Sequence, residues 1–201
     1  MTFAAPTLAV ADWRQQVFAL YRAVRAETDP AAAHARWQAT RDELLRNHPA
    51  SPVPVEQRDG YSGAPVAAYD AQYRFEATID TEVKPHNWEF ISATDGVIPF
   101  SRVGVLHLPI GDLDVWWLES YGGGLFVPVK DPNSATYGGG RYLIDTVKGA
   151  DLGGDLAAGR LVVDLNFAYN PSCAYSPEWT CPLAPATNTL GVELPVGEMS
   201  G

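Results

Sequence analysis

The residues best equipped for chemistry lie between Asp164 and Leu190, in the run DLNFAYNPSCAYSPEWTCPLAPATNTL. This run holds both cysteines, Cys173 and Cys181, with Asn166, Asn170, Asn188, Tyr169, Tyr175 and Trp179 around them. Pro171, Pro177, Pro182 and Pro185 each remove a backbone donor and fix φ, which excludes a simple helix or strand. Polar side chains among rigid turns and aromatic walls suit a binding site, and equally a pinned structural loop. Alternation over Arg160–Tyr169 predicts a strand with Asp164 and Asn166 on one face, about 7 Å apart at ~3.4 Å per residue. In a closed barrel that face lines a polar cavity; in an open sheet it faces water.

Asp164 is a candidate general base and Cys173 a candidate nucleophile, although no base stands at a recognisable spacing from either thiol. Seven residues separate Cys173 from Cys181. That is not the spacing of a zinc knuckle or a thioredoxin-like pair, so no metal site is assigned and two reduced, buried thiols are the plain reading. A disulfide, a bound metal and a reactive thiol stay open. Gly138-Gly139-Gly140-Arg141 offers backbone amides and a guanidinium for an anion. Its structural alternative is a glycine-rich hairpin with Arg141 paired to Asp145 or Asp164. Lys130-Asp131 reads as a solvated turn, His107 as a core histidine and His48 as part of a helix end. Trp116-Trp117 places one indole on each face of a strand, so at least one belongs to the core.

These residues need a scaffold, and the periodicities describe one. Trp13, Val17, Leu20, Tyr21 and Val24 form one helical stripe, and Trp37, Arg41, Leu44 and Leu45 form a second. Thr28-Asp29-Pro30 ends the first helix and starts the next, with Pro30 suited to the first helical position. His48-Pro49 closes a helical hairpin over residues 10–48. Residues 50–71, with Pro52, Pro54 and Pro65, read as an extended linker. From Gln72 the period becomes two, and strands are expected at Gln72–Ile79, Trp88–Ala93, Arg102–Ile110, Leu113–Ser120, Leu125–Lys130, Arg141–Thr146 and Arg160–Tyr169. Tyr121-Gly-Gly-Gly and Tyr137-Gly-Gly-Gly read as related turns at the same end of a sheet. The expectation is one α+β domain over 1–201: a helical hairpin, then an antiparallel barrel-like or sandwich sheet over 72–170, with residues 171–201 wrapping one end.

The chain has 201 residues and a formal charge of −10, with only 14 Lys and Arg. That balance argues against nucleic acid and against an anionic membrane surface. No segment approaches the roughly 20 apolar residues of a membrane span, and the N-terminus lacks a charged signal region. A cytoplasmic protein is expected, with cofactor and oligomeric state left unknown.

HPASPVP (48–54), LFVPVKD (125–131), TYGGGRYL (136–143) and DLNFAYNPSCAYSPEWTCPLAP (164–185) together resemble a prokaryotic family, domain of unknown function 1684, over residues 34–198. Lys130, Tyr137, Gly139, Gly140, Arg141, Asp164, Asn166, Tyr169, Asn170, Cys173, Tyr175, Cys181, Pro182 and Asn188 fall on the motif positions. The resemblance implies a shared site and no established reaction. The sequence departs at Thr187, where the family usually has Glu before the asparagine, and at Ala64–Tyr69, which lacks the aromatic-rich form. The function expected is binding of a small anionic molecule, held by Lys130, Tyr137, Arg141, Asp164, Asn166, Asn170 and Asn188 between walls of Tyr169, Tyr175 and Trp179. An enzyme using Asp164 or Cys173 in the same pocket is the alternative. A structural or interaction domain is the third.

Overall fold

The computed structural model describes residues 4–92 and 96–201. Two long helices open it, α1 (Ala4–Ala26) and α2 (Pro30–Asn47). Pro30 begins α2, and Asp29 caps it by accepting from Ala31 N at 2.9 Å. His48 ends α2, donating its backbone N–H to Leu44 O. A short helix, α3 (Val55–Arg58), interrupts the segment expected to be extended.

Among the described residues eight strands follow: β1 (Arg74–Asp80), β2 (Asn87–Ser92), β3 (Gly96–Leu108), β4 (Gly111–Leu118), β5 (Leu125–Val129), β6 (Arg141–Asp145), β7 (Gly154–Asp155) and β8 (Arg160–Asp164). They form one antiparallel sheet in the order β6-β5-β4-β3-β1-β8-β7, with β2 paired to β3. The sheet curls so far that the chain just past β8 returns to β6. Tyr142 and Tyr169 exchange backbone hydrogen bonds of 2.8 and 2.9 Å across the gap. The architecture is therefore α+β, with a half-barrel capped by the hairpin. Leu20, Tyr21, Val24, Ala33 and Trp37 of the helices share one core with Leu106, Leu113, Val115, Val127, Leu143 and Val163 of the strands.

Four local expectations need correction. β3 starts at Gly96 rather than Arg102: Pro99 sits opposite Glu89 of β2 and beyond the last residue pair with β4, where its missing donor is tolerated. The strand expected over Arg160–Tyr169 stops at Asp164, whose carboxylate accepts from Asn166 N at 3.1 Å and turns Leu165–Phe167 into a 3-10 helix. The two Tyr-Gly-Gly-Gly turns lie at opposite ends of β5, one leading into it and the other leading out toward β6. His107 is exposed, held between Asp112 at 2.9 Å and Asp80 at 3.3 Å, because it points away from its buried neighbours Leu106 and Leu108. Ala93, expected at the end of a strand, lies outside the described residues. Trp116 is fully buried and Trp117 half-exposed, one on each face as period two requires.

Candidate functional site

The site begins with a charge in an apolar stripe. Arg41 lies one turn after Trp37 on the buried side of α2, and its guanidinium meets the C-terminal segment. Its Nε and Nη2 donate to Glu198 Oε2 at 3.2 and 2.9 Å, and Nη2 also reaches Tyr175 Oη at 3.1 Å and Asn170 O at 3.3 Å. Tyr175 Oη donates to Glu198 Oε1, and Asn170 N donates to Oε2 at 3.0 Å. Arg41 also lies over the Tyr169 ring, 4.8 Å from its centre. The network can form only because the backbone turns sharply before Glu198. Gly197 sits at φ 78°, and an added Cβ would meet Ala168 O at 2.7 Å.

Above this network opens a cleft between the helical hairpin, β6 and the C-terminal segment. Its inner recess of about 80 Å³ is lined by Trp13, Tyr21, Arg41, Tyr142, Lys148, Tyr169, Asn170 and Cys181. Trp13, Pro52, Lys148, Ser172 and Cys181 continue into an outer groove of about 1000 Å³, which Trp179 also borders. Lys148 stands 5.8 Å from the centre of the Tyr142 ring and 3.4 Å from Asp145. Asn170 Oδ1 is buried without a partner among the described residues, so one acceptor beside the recess is unsatisfied there.

Cys181 borders this cleft, with Cys173 against it. Cys181 Sγ accepts from Cys173 N at 3.4 Å, which places the two cysteines against each other. Tyr137 Oη lies 3.6 Å from Cys173 Sγ. The bond from Cys181, opposed by burial and aided by Tyr137, lowers the Cys173 pKa to about 6. Its neighbour Cys173, and then burial, push Cys181 upward. Both thiols are free and half-buried, rather than fully buried as expected.

The residues nominated from sequence divide among several places. Tyr169, Asn170 and Tyr175 border the cleft or its floor, with Cys173 and Tyr137 at the thiol corner. Arg141 does not face a pocket. It is fully buried and donates to Val196 O at 2.5 Å, Glu198 O at 3.2 Å and Asp131 Oδ2 at 3.0 Å. Its partner is thus Asp131, neither Asp145 nor Asp164. Asp131 is buried rather than solvated, and it also accepts from Leu194 N at 3.1 Å and Thr136 Oγ1 at 3.2 Å. This cluster fastens the C-terminal segment to the β5–β6 turn.

Asn188 stitches strands together. Its Nδ2 donates to Asp114 O at 2.9 Å and Pro128 O at 3.0 Å, while Oδ1 accepts from Trp116 Nε1 at 2.8 Å. Lys130 exchanges backbone bonds with Asn188 and Leu190. Asp164 and Asn166 lie at the other end, under α2. Asn166 binds both backbone groups of Asp70, at 2.8 and 2.9 Å, and its carbonyl accepts from His34 Nε2 at 3.0 Å. Asp164 accepts from Asn166 Nδ2 at 2.7 Å and Tyr69 Oη at 3.2 Å. Burial raises its pKa against these hydrogen bonds. The structure does not bring Asp164, Arg141, Lys130 and Asn188 into one pocket.

The model for the family described as protein of unknown function DUF1684 matches residues 59–199. The chain belongs to this family. The match leaves out HPASPVP and both long helices, so Arg41 lies outside it while Glu198, Tyr175, Asn170 and the thiols lie inside. Among solved structures, the chain is similar to the solution NMR structure of the uncharacterised protein from gene locus rrnAC0354 of Haloarcula marismortui. Identity is 29%, coverage 81% of this chain and 89% of that one, and the TM-score 0.55. No curated protein matches.

Reading the sequence missed Arg41, Glu198, Tyr142, Trp13 and Lys148 as members of a site. Arg41 had a signal: it is the one charged residue in the stripe of Trp37, Leu44 and Leu45. Glu198 had none, since its burial depends on the C-terminal segment folding back over Ala168.

Proposed function

We propose that this DUF1684 protein binds a small molecule in the cleft between the helical hairpin and the C-terminal segment. The observation that carries the proposal is the lining of the recess. Trp13, Tyr142 and Tyr169 offer apolar faces, Arg41 and Lys148 offer cationic donors, and Asn170 Oδ1 is an unsatisfied acceptor. Ligand pockets combine a mostly apolar wall with a few convergent polar groups. The recess takes only a small group, and the outer groove has room for the body of a metabolite. The chemistry that fits is a molecule with a planar or apolar body and an anionic group held by Arg41 and Lys148. Arg141 contributes no anchor, because it is sealed against Asp131 and backbone carbonyls. The cytoplasm is the expected location. Among the described residues no helix is long and apolar enough to cross a membrane.

The test is a thermal-shift screen of aromatic carboxylates and phosphate monoesters against the native protein, Trp13→Ala and Lys148→Ala. A ligand at 100 times its Kd raises stability by about 2.7 kcal/mol. The proposal expects hits on the native protein that both variants lose while keeping their own melting temperatures. Hits that persist unchanged in both variants, or none across the panel, would overturn it.

A further inference from the structure

The thiol corner has chemistry that ligand binding does not use. Two free cysteines at two points of one proline-bounded segment meet where Cys181 Sγ accepts from Cys173 N, and Tyr137 reaches Cys173 Sγ from the turn before β6. Cys173 sits in the 3-10 turn Ser172–Ala174, whose conformation holds its N–H against Cys181 Sγ. Cys181 borders both the recess and the outer groove, and Cys173 beside it is only half-buried, so both thiols retain some access to solvent. We propose that Cys173 and Cys181 form a dithiol site for small-molecule disulfides, with Cys173 attacking and Cys181 resolving.

The charge distribution favours that division of labour. Tyr137 Oη and Cys181 both lie against the Cys173 side, and they, with a weaker cationic influence from Lys148, favour the Cys173 thiolate. The Cys173 pKa of about 6 makes it the thiolate at neutral pH, while Cys181 keeps its proton. Tyr142 also neighbours Cys181 and stays protonated, its own pKa raised by burial.

In the first step the Cys173 thiolate attacks one sulfur of R–S–S–R. A Cys173–S–S–R bond forms, the R–S–S–R bond breaks and RS⁻ departs. Cys181 then gives its proton to that departing thiolate and attacks Cys173 Sγ. The protein disulfide forms and a second RS⁻ leaves. The dithiol loses two electrons and the small disulfide gains them, so no further oxidant is needed. Cys181 Sγ already sits against the backbone of Cys173, so the two residues are near neighbours for the ~2.05 Å disulfide bond.

The experiment treats the native protein with oxidised glutathione and follows intact mass, with peptide mapping to place each modification. The expected product is a chain lighter by two hydrogens, linked Cys173 to Cys181. Cys181→Ser is expected to stop at a glutathione adduct on Cys173, and Cys173→Ser to react at least tenfold more slowly. Alkylation of the reduced native protein should show Cys173 gaining reactivity with a midpoint near pH 6. The native-protein arms decide the matter even if a variant fails to fold. The proposal is overturned if the native chain stays reduced while a free dithiol in the same tube oxidises. It is equally overturned if the first adduct lands on Cys181, or if both thiols alkylate with one ordinary profile.

Discussion

Two arginine–carboxylate pairs hold the same C-terminal segment, and they do so in opposite settings. Arg141 and Asp131 have side chains 0% and 1% exposed, and protein groups surround them. Arg41 and Glu198 have side chains 13% and 1% exposed, and Arg41 borders the cleft. The first pair fastens residues 194–198 to the β5–β6 turn. The second fastens Glu198 to α2 and also presents a cation to solvent-accessible space. Residue type alone would have ranked Arg141 as the anion binder, because it follows three glycines. Enclosure decides otherwise: an arginine with no accessible donor holds the fold together, whatever loop precedes it.

The contrast can be broken experimentally, and the largest effect should come from the sealed pair. Arg141→Ala leaves Asp131 as an unpaired buried charge, a loss of about 3–5 kcal/mol. Urea unfolding should show most of the native stability gone, with no ligand able to separate binding from folding. Arg41→Met should cost about 2 kcal/mol, because Glu198 keeps its bonds from Tyr175 and Asn170 and water can enter from the cleft. That variant should stay folded and lose the ligands found by the thermal screen. Equal losses of stability for the two variants would erase the distinction drawn here.

A pH titration sharpens the same contrast more gently. Buried His34 has its pKa lowered from 6.5, by burial first, with the bond to Asn166 opposing. Because the folded value lies below the unfolded one, this group's contribution is complete above about pH 6.5 and is lost as pH falls through the folded value. His34→Gln should therefore flatten the acid limb of a Tm-versus-pH curve. Lys148→Ala, at the rim, should leave that limb unchanged.

Much of the scaffold was legible from local signals. The apolar stripes, the Asp29-Pro30 start and the alternation after Gln72 gave the hairpin and the antiparallel sheet, because each depends on near neighbours. The Asp164 turn was not legible, since a capping side chain overrode an alternating pattern that continues through Tyr169. The site was harder for the same kind of reason. Glu198 reaches Arg41 across 157 residues, and Asp131 reaches Arg141 only through a turn whose charges read as solvated. Cys173, Tyr169, Asn170 and Tyr175 stood out as candidates because they lie in a dense run of polar and aromatic residues. What enclosed each of them depended on contacts that sequence spacing does not encode.

The central claim is that ligands occupy the Arg41 cleft and leave the Gly138–Arg141 turn alone. Backbone amide chemical-shift mapping by NMR, with the strongest hit of the thermal screen titrated into the native protein, tests it most directly. The account predicts that the largest shifts fall on Trp13, Tyr142, Lys148, Tyr169, Asn170 and Cys181. Shifts concentrated instead at Lys130, Gly139, Gly140 and Arg141 would contradict it.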